Sequence, residues 1–113
     1  NRDLIFKLLP ILDDMERAIR EAKAKEIDEA IVQGIELIYR KFLTILGEEG
    51  VKPIETEGQK FDPKYHEAIA TVCLPDHDDY EIVEETRRGY FYQDEVLRPA
   101  QVRVNRISKD FMA

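Results

Sequence analysis

The sequence predicts an α+β fold, in which N-terminal helices form a dimeric four-helix bundle and a small C-terminal all-β domain of short strands follows. Strong helix formers dominate residues 1 to about 47, which contain one Pro and one interior Gly. From about residue 51 onward Val, Ile, Thr, Tyr and Phe become frequent and Pro and Gly recur, as in strands joined by turns. The apolar stripes of the helices are too broad for two helices to cover. We therefore expect a helical dimerisation region at residues 1–50 and a β domain at residues 51–113.

The composition excludes several functional classes. The 113 residues include 17 Lys and Arg against 24 Asp and Glu, for a net charge of −7. An acidic chain argues against a nucleic-acid binder and against a protein held to membranes by a polybasic face. No apolar run reaches the roughly 20 residues that span a bilayer, and no signal peptide is recognised. The single cysteine, Cys73, excludes an internal disulfide and fits a reducing compartment.

The first predicted helix covers about residues 2–23. The spacing of its main apolar stripe alternates between four and three, as in a heptad repeat. This stripe consists of Leu4, Leu8, Ile11, Met15, Ala18 and Ala22. A second stripe, which recurs every seven residues beside it, consists of Ile5, Leu12 and Ile19. Pro10 removes one backbone hydrogen bond, so it either kinks a continuous helix or begins a new one, and we favour a new helix.

The second predicted helix begins near Asp28, a good N-cap residue, and ends near Leu46. Its apolar stripe consists of Ile31, Ile35, Ile38, Phe42 and Ile45. Gly34 lies within this stripe, where it is either a tolerated mid-helix glycine or a point at which another backbone approaches closely. Gly47 is a candidate for the left-handed residue that ends the helix.

The two helices predict self-association. Each is about 30 Å long and carries two apolar stripes, which two helices cannot bury against one another. The remaining 60 or so residues form only a marginal core, so a two-fold dimer that completes a four-helix bundle is expected. The predicted dimer interface consists of Leu4, Leu8, Ile11, Met15, Ile31, Gly34, Ile35, Ile38 and Phe42.

The second half of the chain reads as short strands separated by turns. The predicted strands cover residues 51–56, 69–74, 80–86, 90–92, 96–98 and 100–107. Asp62 and Pro63 predict a helical turn over residues 64–68, and residues 75–79 form an acidic turn. Gln93 and Asp94 lie at the tip of a hairpin. In the last strand the alternation places Val102 and Val104 inside and Asn105 outside.

Catalytic and metal-binding patterns are absent from the sequence. His66 and Glu67 lack the second histidine of a zinc helix, and the acidic turn around His77 lacks the Gly and distal Glu of a calcium loop. Cys73 lies in the most apolar strand, where a thiol is usually part of the core. We therefore expect no metal, no cofactor and no enzymatic activity, with His66 as a structural histidine. A small hydrolase or metal protein built on His66, His77 and Cys73 is the alternative.

Protein recognition is the remaining activity. Arg87, Arg88 and Arg98 stand in otherwise acidic surroundings, and the planar guanidinium group suits specific ion pairs at interfaces. The neighbouring Tyr90, Phe91 and Tyr92 are expected to pack within a strand and to leave an aromatic edge exposed.

Two ordered sets of residues in the second half carry a family resemblance. The first set is Phe61-Asp62-Pro63, His66 and Ala68-Ile69. The second set is Gly89-Tyr90, Asp94, Val96-Leu97-Arg98-Pro99-Ala100, Val102 and Val104. Both sets resemble the C-terminal signature of the GrpE family, the nucleotide exchange factors of DnaK-type heat-shock chaperones. Residues 8–13, 16–18 and 34–37 are similar to the helical segments of the same family, so the resemblance covers essentially the whole chain.

The resemblance implies a homodimer that binds the nucleotide-binding domain of one chaperone mainly through one β domain. The activity implied is opening of the chaperone's lobes and faster ADP release, without direct binding of nucleotide, nucleic acid or membrane. The expected chaperone-binding residues are Arg87, Arg88, Tyr92, Glu95, Arg98 and Val104. Glu95 departs from the family pattern, which usually has a basic residue there, so an ion pair at this position is absent or has reversed polarity. The other signature residues are expected to serve the fold.

One alternative function and one alternative location stay open at this point. A dimeric structural adaptor would display the same β domain without affecting nucleotide exchange. A bacterial cytoplasmic location is expected, with an organellar matrix as the alternative.

Overall fold

The computed structural model describes residues 1–107, which fold into two compact units, one of residues Asn1–Val51 and one that begins at Lys52. The first unit holds two helices and the second holds short strands, so the predicted α+β class is confirmed. The helices are α1 (Arg2–Ala24) and α2 (Glu29–Glu48). The strands are β1 (Val51–Pro53), β2 (His66–Val72), β3 (Ile82–Arg87), β4 (Tyr90–Tyr92), β5 (Glu95–Arg98) and β6 (Ala100–Asn105).

Helix α1 is continuous through Pro10, so the prediction that a new helix begins there is wrong. Proline lacks only its own amide donor, and the hydrogen bonds on either side carry the helix past it. Asn1 caps the helix, because its side-chain oxygen accepts a hydrogen bond of 3.0 Å from the amide of Leu4. No helix within residues 1–107 is long and apolar enough to cross a membrane.

Helix α2 begins where the sequence predicts and ends later. The side chain of Asp28 accepts a hydrogen bond of 2.8 Å from the amide of Ala30, which confirms the predicted N-cap. Gly47 lies inside the helix, and the left-handed residue is Gly50, with φ of 91°. After the helix ends at Glu48, the amide of Gly50 donates to the carbonyl oxygen of Gly47, 3.0 Å away, which closes a tight turn. The predicted role of Gly47 is therefore wrong.

The two helices run in opposite directions along one another. The hydroxyl of Tyr39 donates a hydrogen bond of 2.6 Å to Glu16, and the ammonium of Lys23 lies 3.2 Å from the carboxylate of Glu36. The buried apolar residues form what we call the inner stripe: Ile5, Leu9, Leu12 and Ile19 of α1 with Val32 and Leu46 of α2. The predicted second stripe of α1 is therefore buried between the two helices of a single chain.

The main predicted stripe of each helix lies one residue away from the inner stripe and remains accessible. We call it the outer stripe, and it consists of Leu4, Leu8, Ile11, Met15, Ile31, Ile35, Ile38, Phe42 and Ile45. Leu4 and Ile31 are each 57% exposed and Ile38 is 61% exposed. A single chain thus covers one of the two stripes on each helix.

Two three-stranded sheets make up the β unit. The first has the order β1-β4-β5 and the second the order β2-β6-β3. Strand β6 pairs in parallel with β2 and antiparallel with β3. The core of the second sheet consists of Ile82, Ala100, Val102 and Val104, with Phe61 packed against them.

The entry into β2 differs from the prediction of a helical turn over residues 64–68. The side chain of Asp62 accepts from the amide of Lys64 at 2.9 Å and its carbonyl oxygen accepts from the amide of His66 at 2.9 Å. This closes a single turn, and the chain then extends into β2 at His66. Pairing with β6 wins over further helix because Ala68 lies opposite Val102 in the parallel ladder.

Candidate functional site

The tip of the β4–β5 hairpin is an exposed feature built by local backbone geometry. Gln93 and Asp94 have φ values of 49° and 69°, as a two-residue turn that matches the twist of a hairpin requires. The hairpin tip predicted at these residues is confirmed. Tyr92 and Glu95 are paired across the hairpin, with Tyr92 half-buried and Glu95 exposed. The tip therefore presents a carboxylate beside an aromatic ring.

Arg98 lies inside the β unit instead of on its surface. It is 6% exposed, and its Nε donates a hydrogen bond of 2.9 Å to the carbonyl oxygen of Arg88. Its guanidinium carbon lies 5.6 Å from the centroid of the Tyr90 ring, within the range of a cation–π contact. Arg98 thus holds the segment before β4 against β5, and in this conformation it is not available to a partner.

Val104 is also buried. It is 2% exposed and packs with Ile82 and Val102 in the core of the second sheet. In this conformation a partner would not touch the Val104 side chain. A change in the volume of this side chain would still disturb the packing of β6 and its neighbouring strands.

Arg87 and Arg88 follow one another at the end of β3 and are half-buried. The Nε of Arg88 lies 3.5 Å from the carboxylate of Glu85. The Nε of Arg87 is buried and has no hydrogen-bond partner among residues 1–107. Of the six predicted contact residues, the structure leaves four at least partly accessible, namely Arg87, Arg88, Tyr92 and Glu95.

The glycine of the second signature set is required by a close backbone approach. A Cβ atom at Gly89 would lie 2.3 Å from the amide nitrogen of Ala100 and 2.7 Å from the carbonyl carbon of Pro99. Real Cβ atoms do not approach backbone this closely, and the backbone atoms have no room to move away. Tyr90 and Ala100 are fully buried beside this contact, so these signature residues serve the fold.

His66 is a structural histidine, as predicted. It is 6% exposed, and its Nδ1 accepts a hydrogen bond of 2.9 Å from the amide of Asp62. Since Nδ1 accepts, the proton lies on Nε2, which donates to the carbonyl oxygen of Glu55 at 3.1 Å. The ring centroid of Phe61 lies 6.2 Å away. With both ring nitrogens occupied, His66 has no free nitrogen for a metal or a substrate.

Asn105 is a buried residue that the sequence pattern places wrongly on the outer face. It is fully buried, and its amide nitrogen donates to the carbonyl oxygens of Leu74, His77 and Asp78 at 2.9–3.0 Å. Its side-chain oxygen accepts from the amide of Leu74 at 2.7 Å. The alternation of inward and outward side chains fails here because the Asn105 side chain supplies hydrogen bonds to a turn that has no neighbouring strand to supply them. An asparagine at the end of an otherwise apolar strand is the signal that points to this role.

The acidic turn contains a histidine–carboxylate pair. The Nδ1 of His77 lies 3.0 Å from the carboxylate of Glu81. The hydrogen bond to Glu81 raises the pKa of His77 above its ordinary value. The same hydrogen bond lowers the pKa of Glu81, and the amide of Asp78 adds to this effect. The pair is a stabilising contact of the turn on an exposed surface.

Cys73 is exposed, contrary to the expectation that it belongs to the core. It follows the last residue of β2, beyond the point at which the sheet covers the strand. His66 lies seven residues earlier along the extended chain, about 23 Å away at the usual rise of a strand. No group of three or more His, Cys, Asp or Glu side chains within residues 1–107 is arranged to hold a metal ion. The structure thus does not assemble His66, His77 and Cys73 into a site.

An open groove of about 890 Å³ lies in the β unit. Its charged lining consists of five glutamates and one arginine, with His77 beside them: Glu55, Glu57, Glu81, Glu84, Glu85 and Arg88. The excess of carboxylates in this lining disfavours phosphate groups.

Comparison with known proteins agrees with this geometry over the length of the chain. A model of the GrpE family matches residues 1–106. The chain is 43% identical over 105 residues to Protein GrpE of Carboxydothermus hydrogenoformans, an alignment that covers 92% of this chain and 53% of the relative. It is 41% identical over 106 residues to Protein GrpE of Oceanobacillus iheyensis, covering 94% of this chain and 55% of the relative. It is 42% identical over 104 residues to Protein GrpE of Methanosphaera stadtmanae, an alignment that covers 92% of this chain and 58% of the relative.

The chain therefore spans a little more than half the length of these relatives. The match extends from the first helix to the last strand and includes the buried signature residues around Gly89. On this evidence the chain belongs to the GrpE family.

Proposed function

We propose that this chain is the dimerising and chaperone-binding part of an adenyl-nucleotide exchange factor for a DnaK-type chaperone. The observation that carries the proposal is membership of the GrpE family across both units, with the family match at residues 1–106. The proposed site of action is the bacterial cytoplasm.

The proposed activity needs no catalytic group. The factor binds the open form of the chaperone's nucleotide-binding domain more tightly than the closed form that holds ADP. This difference in affinity weakens ADP binding, and ADP weakens binding of the factor by the same ratio. A coupling free energy of about 3 kcal/mol corresponds to roughly 150-fold. ATP then fills the open site and displaces the factor.

The proposed contact surface is the exposed part of the predicted set. Tyr92 and Glu95 lie side by side at the hairpin tip, and Arg87 and Arg88 are partly accessible at the end of β3. Arg98 and Val104 contribute by supporting the strands from within, because both are buried. Since Glu95 is a carboxylate, we expect a basic group opposite it on the cognate chaperone.

The outer stripe is the proposed dimer interface. Apolar side chains that are half or more exposed, such as Leu4, Ile31 and Ile38, continue along both helices. Exposed apolar surface of this extent favours association, and a two-fold axis would bring the outer stripes of two chains together into four helices. Gly34 lies beside this stripe, and a Cβ atom there would meet nothing within 4 Å in a single chain. This open space leaves room for the close approach of a second chain that we propose at Gly34.

Stopped-flow release of labelled ADP from a DnaK-type chaperone tests the proposal. Addition of this protein should accelerate ADP release in a saturable way. Binding to the nucleotide-binding domain without acceleration would favour the structural adaptor, and absence of binding would contradict both.

A charge-reversal pair tests the contact surface. Glu95→Lys should raise the concentration needed for half-maximal acceleration by about tenfold, because it places like charges opposite each other. Glu57→Lys is the matched control, since Glu57 is another exposed glutamate of the same unit. Equal effects of the two variants would show that net charge, and not the hairpin tip, governs binding.

A further inference from the structure

The inner stripe is interrupted by a carboxylate. Its α1 residues Ile5, Leu9, Leu12 and Ile19 follow a spacing of four, three and seven, so position 16 falls on the same stripe. Glu16 occupies this position, and its side chain is only 17% exposed. A carboxylate that is largely covered within an apolar stripe needs a specific partner, because the loss of its hydration is otherwise costly.

Tyr39 supplies a partner for this carboxylate from the opposite helix. Its hydroxyl donates a hydrogen bond of 2.6 Å to one carboxylate oxygen of Glu16. The guanidinium group of Arg20, which is 67% exposed, lies 3.9 Å from the other oxygen. Hydrogen bonds to charged groups are short and directional. The contact therefore forms only when the face of α1 that carries Glu16 meets the face of α2 that carries Tyr39.

A second polar contact between the helices agrees with the same alignment. Lys23 lies seven residues after Glu16 and Glu36 lies three residues before Tyr39, as antiparallel helices require. The ammonium of Lys23 is 3.2 Å from the carboxylate of Glu36. Because Lys23 is 58% exposed, this ion pair adds little stability by itself. The buried contact between Glu16 and Tyr39 is thus the stronger of the two.

The outer stripe, in contrast, is apolar throughout. It lies one residue, or about 100°, away from the inner stripe on each helix. Apolar burial is non-directional, so apolar character alone would favour packing the two outer stripes against each other within one chain. The structure has the opposite arrangement, in which the inner stripes with their charged residues are packed together. A contact other than apolar burial is therefore needed to make this choice.

We propose that the hydrogen bond between Glu16 and Tyr39 determines which stripe each helix turns toward its neighbour in the chain, and so leaves the outer stripe for a second copy. Single polar residues in coiled coils fix register and partner choice in this way, at a cost in stability. The assignment of the outer stripe to a second copy rests on the dimer proposed above. The choice of the inner stripe within one chain has a test of its own.

A pair of cysteines reports which stripes face each other within one chain. Leu9 lies seven residues before Glu16 and Leu46 lies seven residues after Tyr39, so antiparallel helices place these two buried residues opposite each other. The reporter protein carries Leu9→Cys and Leu46→Cys, with Cys73→Ser to remove the exposed thiol. It should form an intrachain disulfide in a glutathione buffer, at a rate that depends on the fraction of chains with the inner stripes packed together.

Glu16→Leu combined with Tyr39→Phe removes the hydrogen bond and makes the inner stripe as apolar as the outer stripe. In the reporter protein these two changes should slow disulfide formation at least about twofold, since each stripe is then packed inside in about half of the chains. The thermal midpoint should stay the same or rise, because an apolar side chain replaces a covered charge. Glu16→Gln keeps an acceptor for the hydroxyl of Tyr39 and should leave the rate unchanged.

Glu21→Leu is the matched control, because Glu21 is an exposed glutamate of the same helix, about 140° around it from Glu16. Its disulfide should form at the rate of the unchanged reporter protein. Equal slowing by Glu21→Leu, or an unchanged rate in the variant that lacks the hydrogen bond, would overturn the inference. A slower rate accompanied by a lower thermal midpoint would also overturn it, since the helices would then have lost stability instead of changing the buried stripe. A wild-type chain that sediments as a monomer would contradict the proposed dimer instead.

Discussion

Buried polar side chains stabilise the β unit by supplying hydrogen bonds that its short strands lack. Asn105 makes four hydrogen bonds to the backbone of Leu74 and of the acidic turn that follows it. His66 bridges the backbone at Asp62 and Glu55, and Arg98 reaches the carbonyl oxygen of Arg88. Because such groups are buried, removal of one partner leaves another polar group unsatisfied, which typically costs about 1–3 kcal/mol. We propose that these residues support function by holding the surface strands in place.

The His77–Glu81 pair predicts a pH dependence of stability. The pKa of His77 is raised above 6.5, so its contribution is complete below pH 6.5 and is lost as the pH rises through the folded-state pKa. The pKa of Glu81 is lowered below 4.5, so its contribution is present above pH 4.5 and is lost as the pH falls through its folded-state pKa. The pair should therefore stabilise most between these two limits. Asp76, Asp78 and Lys60 are the other charged groups that act on it.

Thermal midpoints of wild type and His77→Gln measure this effect. The wild type should exceed the variant at about pH 5.5, and the difference should shrink at about pH 8.5, where the imidazole is neutral in both states. A difference that is the same at both values would show that the pair contributes through its neutral hydrogen bond alone.

The bounds of helices and turns agree with the sequence-based predictions where the local backbone alone sets them. The N-cap at Asp28 and the hairpin tip at Gln93 and Asp94 are as the sequence predicts, because both depend on the adjacent backbone alone. The helical turn before β2 is shorter than predicted, because pairing with β6 captures the chain at His66. Helix α1 likewise continues past Pro10, since packing along the inner stripe outweighs one missing hydrogen bond.

Replacement of Pro10 by alanine should stabilise the helical unit. Pro10 is exposed and lies inside the helix, and proline is less favourable than alanine there by up to about 3 kcal/mol. We expect a gain of about 1–3 kcal/mol in the free energy of unfolding, measured by denaturant titration of helical circular dichroism. An unchanged or lower stability would contradict the view that Pro10 costs this helix stability.

At the scale of the whole molecule, the chain consists of two units with different reasons for their stability. The β unit closes around a small core centred on Val102 and carries its own signature residues. The helical unit buries one stripe of each helix and leaves the outer stripe accessible. Because apolar surface in water favours association, the helical unit is where a second copy should add stability.

Replacement of Ile38 by glutamate tests the proposed dimer. Ile38 is 61% exposed in the single chain, so the variant should leave the monomer fold intact. A charge in the buried part of a dimer interface should weaken dimerisation by at least about tenfold, because the carboxylate loses its hydration there. Sedimentation equilibrium over a range of concentrations measures the change.

Arg40→Gln is the matched control for the dimer experiment. It makes the same change in net charge, and Arg40 lies about 200° around the helix from Ile38. Its dimerisation should equal that of the wild type. A wild-type chain that sediments as a stable monomer, or equal weakening by both variants, would count against the outer stripe as the interface.

The sequence by itself determined the α+β class, the two helices with their double stripes, the N-cap at Asp28 and the hairpin tip, because each depends on local chemistry or on periodicity. It also carried the signature that identifies the family. Only the tertiary structure decided which stripe is buried within a single chain. Neighbouring stripes one residue apart have the same periodicity and differ only in what packs against them. Burial of Arg98 and Asn105 and exposure of Cys73 were likewise decided by packing. The unsatisfied donor of Arg87 exists only in the folded chain, because strand register and burial together remove its access to water.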